Sequence, residues 1–516
     1  MRKSILLLLV VALLLTVATA TFTDDKSISS KYRTAVEAMS EKKIIAGFED
    51  GSFKPKDTLT RAQAAKILCT MLAGDSIPAG TTEFSDVPAG HWAEKFVAYC
   101  ASKGIVSGVG GGKFNPNGKL TGYAFGKMLL AAYGKDGGGL TGTGWDTKTA
   151  ELLSKNFLDV GVKVTGEPIQ RQEACQLAYN FTLPAEDVSN YAETTVELKD
   201  MSMVKTYGRT YADEKGIHCD FGASGIEFTL CCAGEVLLTV DATENGYFQC
   251  FVDGQEAERI RTSTAKEKKL RVVNDLRPGE HTFRIVKDSD VSTNGATTAL
   301  ATLTFTGDKA SLKPTAQKKY YIEYVGDSTM VGKGALTSGT YTSDDPSHSA
   351  THAFTYLSAQ LLDADWSVYA RGGAGYFVTK SVPMAMKDLY DYQNGFLQEP
   401  VAYDFARKPD VVVIHLGGND SSYKGDDFRE AFRALEKQIR GHYGADTRIV
   451  YAYNNMVATK NELIEELGVE NPNSSIVKLS KHNDGGSSGS AVGHPSAASQ
   501  AINAQELADY LKTILK

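Results

Sequence analysis

Tyr324-Val325-Gly326-Asp327-Ser328-Thr329 is the stretch on which the reading of this chain turns. It closes an apolar run, Tyr320–Val325, after which apolar strand-like runs alternate with helical patterns to the end of the 516 residues. Val411–Leu416 and Arg448–Tyr453 have the largely unbroken apolar character of strands buried on both faces, whereas Phe354–Leu362, Asp427–Tyr443 and Ala498–Leu515 show helical spacing. The alternation predicts a three-layer α/β domain with a parallel sheet over residues 318–516. Open parallel sheets hold ligands beyond the carboxyl ends of their strands, so Ser328 is expected at the functional edge.

Two further segments share that edge. Leu416-Gly417-Gly418-Asn419-Asp420 directly follows a buried strand, where the Asn419 amide can donate to a developing oxyanion. Gly493-His494-Pro495-Ser496 opens the last helix, from which an imidazole can reach a serine hydroxyl across the sheet edge. A serine hydroxyl is a weak nucleophile until a histidine takes its proton, and the same histidine can later protonate the leaving alcohol. Together with Arg371-Gly372-Gly373-Ala374-Gly375, these blocks resemble, in order, those of the SGNH (GDSL-like) hydrolases across nearly all of residues 320–516. The resemblance implies Ser328 as nucleophile, His494 as base, and Gly373 and Asn419 as oxyanion donors beside the Ser328 amide, with Gly375 as the alternative to Gly373. Many SGNH enzymes place an acid two or three positions before the histidine, but Val492 and Ala491 stand there. Two arrangements stay open. A backbone carbonyl orients His494, giving the preferred Ser–His dyad, or a distant acid such as Asp484 folds back through the Gly/Ser-rich loop Gly485–Gly489. His352, Tyr376 and Asp327 are candidates for the pocket lining without a catalytic role, and His415, on a buried strand, reads as a core histidine.

Upstream, over residues 194–311, the periodicity changes to short alternating runs: Gly225–Leu230, Glu235–Val240, Tyr247–Val252, Lys269–Val273 and His281–Val286. Asp253-Gly254 and Pro278-Gly279 read as turns between them, which predicts an all-β sandwich of jelly-roll type. Such a domain either binds carbohydrate or braces its neighbour, and bracing is the preferred reading. A β-sandwich followed by an SGNH domain, with His-Pro-Ser and no adjoining acid, resembles the second family of carbohydrate esterases. That resemblance implies removal of O-acetyl groups from polysaccharides such as xylan or mannan through an acyl-enzyme, without a cofactor.

The N-terminal third is repetitive. Residues 38–68 recur at 99–129, each copy running from a helix through a Gly-rich turn and a Phe-x-Pro segment into a helix opened by Thr60 or Thr121 as N-cap. Phe84-Ser85-Asp86-Val87, His91-Trp92, Gly51-Ser52-Phe53-Lys54-Pro55 and Thr60-Arg61-Ala62-Gln63 resemble the S-layer homology (SLH) domain. The repeats are expected at 21–80 and 81–140, with a degenerate third at 141–190 that includes Thr149–Phe157 and Ile169–Ala174. The resemblance implies binding of an anionic secondary cell-wall polysaccharide, a task suited to the planar fork of arginine. Arg61 and Arg171 occupy matching positions, while Gly122 stands in the second copy; Trp92 and Asp86 are further candidates, the Trp92 ring equally readable as a core anchor and the Asp86 carboxylate as a helix cap.

Residues 1–20 have the parts of a secretory signal: Arg2 and Lys3, an apolar run from Ile5 to Val17, then Ala18-Thr19-Ala20. The run is short for a membrane anchor, and no second segment is apolar enough to span a bilayer. The mature protein is therefore expected outside the cell, associated with a Gram-positive-type wall. A formal net charge of −7 gives no polybasic signal for nucleic acid. The odd cysteine count and the lack of a C-x-x-C pair argue against a metal cluster, so no structural metal is expected. Cys69, Cys100 and Cys175 read as small core residues, and Cys219, Cys231, Cys232 and Cys250 leave room for one disulfide.

Overall fold

The computed structural model describes residues 22–135, 139–156, 158–183, 188–265, 269–291, 294–336, 347–423, 425–454, 460–481 and 494–515. The secretory signal, Phe157, Asp484, the 485–489 loop, Ala491, Val492 and Gly493 lie outside them. The chain divides into two compact units, Met1–Glu186 and Asp187–Lys516.

The first unit is helical, with principal helices Ser30–Glu41, Arg61–Ala73, Glu94–Ser102, Gly122–Ala132, Trp145–Lys155 and Arg171–Thr182. Thr60 caps its helix by accepting from the Gln63 amide in a reciprocal capping box, and Thr121 accepts from the Ala124 amide. The residues just before the three second helices close a ring. Leu59 donates to the Ile169 carbonyl, Ile169 to the Leu120 carbonyl and Leu120 to the Leu59 carbonyl, each at 2.9 Å. All three side chains are buried, so this ring ties the helix pairs at a shared apolar centre.

The second unit contains two sheets. Residues 192–314 form one curled antiparallel sheet, whose strands Gly225–Ala242 and Lys269–Lys287 are far longer than the runs read from sequence. Gly225–Leu230 and Glu235–Val240 are halves of the first of these strands, and Lys269–Val273 and His281–Val286 are halves of the second. Pro278-Gly279 is thus no turn between strands. Pairing shifts register between Cys232 and Val236, and such bulges bend a strand without ending it, so the alternation breaks while the strand continues. All seven cysteines are free thiols, and the disulfide left open among the later four does not form.

The second sheet is parallel and five-stranded, in spatial order Ala364–Ala370, Tyr320–Gly326, Val411–His415, Ile449–Tyr453, Ser474–Lys478. This is the doubly wound order 2-1-3-4-5, whose switch point lies between the first and third strands. Helices Phe354–Leu361 and Ala497–Ile514 pack together on the face formed by Ile322, Tyr324 and Val413. Asp426–Tyr443 and Asn461–Leu467 supply Phe428, Phe432, Ile439 and Ile464 to the face of Val325, Val412 and Ile414.

Ala364–Ala370 is a sheet edge, yet every residue in it is buried. The antiparallel domain covers it: Gly208 donates to the Trp366 carbonyl at 3.2 Å, the Trp366 indole donates to the Ala223 carbonyl at 2.8 Å, and Tyr207 stacks on Trp366 at 3.7 Å. Capping an edge in this way satisfies backbone groups that would otherwise template aggregation.

Candidate active site

Ser328 lies two residues beyond the first strand, in a tight turn where the Asp327 carboxylate accepts from the Thr329 amide at 3.0 Å. Its hydroxyl oxygen is 2.7 Å from His494 Nε2. The histidine is delivered by the last helix, whose N-terminus is fixed by the Ser496 side chain accepting from the Ser499 amide. Both residues line a cavity of about 210 Å³ with Gly373 and Asn419, so all four sequence candidates for the catalytic centre come together at the switch point.

Arg371–Ala374 is a turn closed by the Ala374 amide donating to the Arg371 carbonyl at 3.1 Å, with φ +87° at Gly373. A positive φ at only the third position defines a type II turn, which flips its central peptide relative to type I and favours glycine at that site. A side chain there would also begin 2.7 Å from Ser381 Cβ. Gly375, the alternative donor, does not line the cavity; the Asp420 carboxylate fills the space beside it and accepts from the Tyr376 and Phe377 amides at 3.0 and 3.1 Å. Burial pushes the Asp420 carboxyl up, against the pull of those two amides. Asn419 Nδ2 donates to the Ala374 carbonyl at 2.8 Å, which fixes the side-chain amide with one of its two hydrogens and leaves the other for the cavity.

Asp327 lines the cavity, whereas Tyr376 packs on Phe428 and Phe432, and the His352 ring meets the Ser349 hydroxyl at 2.8 Å. His415 is fully buried with Nδ1 3.5 Å from Asp327. Burial alone lowers its pKa, but the neighbouring carboxylate outweighs that effect and raises it. Lys333, Gly372, Gly418 and Ser381 also line the cavity and were not singled out from sequence. Neither Lys333 nor Ser381 carried a sequence signal; Lys333 is brought to the cavity by the turn after Ser328, which returns its amide to the Ser328 carbonyl at 3.1 Å.

In the first unit, Arg61 and Arg171 are equivalent. Arg61 donates to the Phe114 and Ser107 carbonyls and stacks on Phe114; Arg171 donates to the Phe53 and Ala46 carbonyls and stacks on Phe48 and Phe53. Each thus links one helix pair to the Phe-x-Pro turn of another. Gly122 instead meets the 165–167 backbone, its amide donating to the Glu167 carbonyl at 3.1 Å. Asp86 accepts from the Phe114 and Asn115 amides, both at 2.8 Å, which hold its carboxyl below the usual range and use it as a turn cap. Trp92 is 52% exposed and, with Arg171, Lys54 and Lys66, lines an open groove of about 670 Å³.

A serine–histidine pair beside a glycine turn and an asparagine, at the switch point of a 2-1-3-4-5 sheet, is the arrangement of the SGNH-type hydrolase fold. The comparisons with known proteins narrow this further. Residues 206–314 match the carbohydrate esterase 2 N-terminal domain, and residues 21–65 and 83–122 match the S-layer homology domain. The second unit has the fold of the family-two carbohydrate esterases and follows S-layer homology repeats in the same chain. The family-two esterase of Cellvibrio japonicus superposes with a TM-score of 0.55 at 18% identity, covering 63% of this chain and 98% of that one. The enzyme of Clostridium thermocellum in complex with cellohexaose gives 0.52 at 23% identity, covering 60% and 99%. In sequence, the acetylxylan esterase / glucomannan deacetylase of C. japonicus is 29% identical over 217 residues, covering 38% of this chain and 58% of that protein. The surface-layer 125 kDa protein of Lysinibacillus sphaericus is 31% identical over 143 residues, covering 28% of this chain. The chain spans 12% of that surface-layer protein and little more than half of the esterase.

Proposed function

We propose that this protein is a serine esterase that removes acetyl groups from polysaccharide through an acyl-enzyme, while its N-terminal repeats hold it at a bacterial cell wall. The observation that supports it most is the 2.7 Å contact between Ser328 Oγ and His494 Nε2 inside a cavity shared with Gly373 and Asn419. His494 takes the Ser328 proton as the oxygen attacks the acetyl carbonyl. The resulting oxyanion faces the Ser328 and Gly373 amides and the second Asn419 hydrogen. Collapse breaks the bond to the sugar oxygen, which takes the proton from His494 and leaves as the alcohol; a water that gives its proton to the same imidazole then attacks the acetyl-serine, and acetate leaves as His494 returns that proton to Ser328. The cavity volume suits a short acyl group.

Asn419→Ala removes one preorganised donor. Its kcat on p-nitrophenyl acetate is expected to fall on the order of 10²–10³-fold with KM little changed, because the donor acts on charge that develops only in the transition state. An unaltered kcat would remove Asn419 from the oxyanion site.

For the repeats, the reading rests on the matched modules at 21–65 and 83–122 and on the open groove holding Trp92 and Arg171, with 141–190 as the third repeat. The intact protein should sediment with purified Gram-positive cell walls, and a variant lacking residues 21–190 should stay in the supernatant; equal retention would refute wall anchoring. The wall-binding modules also favour a second substrate, the host's own acetylated wall polymer. Acetate release from isolated wall material, compared with release from acetylated xylan and mannan, separates the two.

A further inference from the structure

The glycine turn that supplies the Gly373 amide is held from outside the parallel-sheet domain. Asp290, from the antiparallel domain, accepts from the Gly372 amide at 2.8 Å through Oδ2, while its Oδ1 accepts from the Val291 amide at 2.8 Å. Gly372 permits this approach: a Cβ there would lie 2.5 Å from Asp290 Oδ2 and 3.3 Å from Lys333 Nζ. Arg371, which opens the turn, donates to the Asn294 side chain of the same segment and stacks on Phe396 at 4.2 Å. Two consecutive residues of the turn are thus gripped by Asp290 and Asn294, both contacts being made just before the peptide whose N–H is the Gly373 donor.

Resting on the esterase reading above, we infer that Asp290 is a positioning residue for the oxyanion site, so that the antiparallel domain completes the catalytic centre as well as covering the sheet edge. A type II turn and a type I turn differ by rotation of the central peptide, and only one orientation directs the Gly373 N–H as observed. Asp290 fixes the peptide immediately before it. Burial pushes the Asp290 carboxyl up, against the pull of Lys333 and of the two amides it accepts from; its two oxygens give each of those amides an acceptor of its own. Lys333, on the turn after the nucleophile, lines the same cavity and lies next to Asp290, so one carboxylate faces both the oxyanion turn and the nucleophile turn.

The test compares wild type, Ser328→Ala, Asp290→Ala and Asp290→Asn in the full chain. Asparagine keeps the shape of the side chain but has one acceptor for two amide donors, so it serves as the variant that folds if alanine does not. Kinetics on p-nitrophenyl acetate are paired with affinity for a trifluoromethyl ketone, whose serine adduct carries an oxyanion. Both Asp290 variants are expected to lower kcat by about 10- to 100-fold, the cost of a misplaced rather than deleted donor, with KM within about twofold. Ketone affinity should fall by the same factor as kcat, which a merely structural role would not require. A folded Asp290→Asn with kcat and ketone affinity within about twofold of wild type would overturn the inference alone. A wild type with no more activity than Ser328→Ala would overturn the esterase reading and this inference with it.

Discussion

Ser328→Ala is expected to lower kcat on p-nitrophenyl acetate on the order of 10⁴-fold or more, and His494→Ala should be nearly as damaging. The two losses should not add in the double variant, because the imidazole has a proton to take only from the hydroxyl 2.7 Å away. A small residual rate should survive in each, supplied by the Gly373 and Asn419 donors, which neither substitution touches. Fold is a minor concern for the serine variant, since Ser328 sits in a turn and alanine removes one oxygen. Steady-state kinetics and labelling with a fluorophosphonate probe check the expectation from two sides: wild type should label and Ser328→Ala should not. Label on the alanine variant, or rates within tenfold of wild type, would show that the alcohol doing the chemistry is elsewhere.

Arg209→Ala should cause the largest loss of stability, about 3–5 kcal/mol, because it leaves a buried carboxylate without its partner. Arg209 comes from the antiparallel domain and reaches Glu323 on the first strand of the parallel sheet at 3.1 Å, with both side chains fully buried. Burial alone lowers the guanidinium pKa, but Glu323 reverses that effect, so the arginine stays charged. It also donates to the Tyr390 and Tyr392 carbonyls and stacks on Tyr369 at 3.8 Å and Tyr403 at 4.3 Å. Alanine deletes all of these contacts and strands two carbonyls besides the carboxylate. Of the chain's three tryptophans, Trp92 and Trp145 belong to the first unit, and Trp366 is buried at the sheet edge covered by the antiparallel domain. The fluorescence transition of Trp366 during denaturant unfolding therefore reports on this contact, and its midpoint should fall sharply. Arg209→Met with Glu323→Leu should recover only part of the loss, since the Tyr390 hydroxyl, which donates to Glu323 at 2.7 Å, loses its acceptor too. A midpoint unchanged in Arg209→Ala would mean that the ion pair does not stabilise the contact between the two sheets.

Much of this molecule is written locally. The helix caps at Thr60 and Thr121, the buried strands ending at Gly326 and His415, and the order of the Ser328, Gly373, Asn419 and His494 blocks depend on near neighbours, so the sequence displays them. Strand length in the antiparallel domain is not legible in the sequence for a physical reason: a bulge resets the inside–outside alternation without breaking the backbone ladder, and periodicity registers only the alternation. Gly373 and Gly375 are the same residue type two positions apart, so the sequence separates them little; the positive φ at one and the Asp420 carboxylate beside the other are what favour Gly373.

By itself, then, the sequence determined the class of each region and the chemical types at the edge that holds Ser328, because burial pattern and motif order are properties of consecutive residues. Tertiary structure alone decided that Arg61 and Arg171 bind carbonyls of neighbouring turns, that Arg209 crosses to Glu323, and that Asp290 meets Gly372. Those partners lie 53, 118, 114 and 82 residues apart, and nothing in the spacing of a chain fixes which distant carbonyl or carboxylate will close on a buried donor. That selection is made by packing, when each buried polar group must find a partner among whatever the fold has brought within reach.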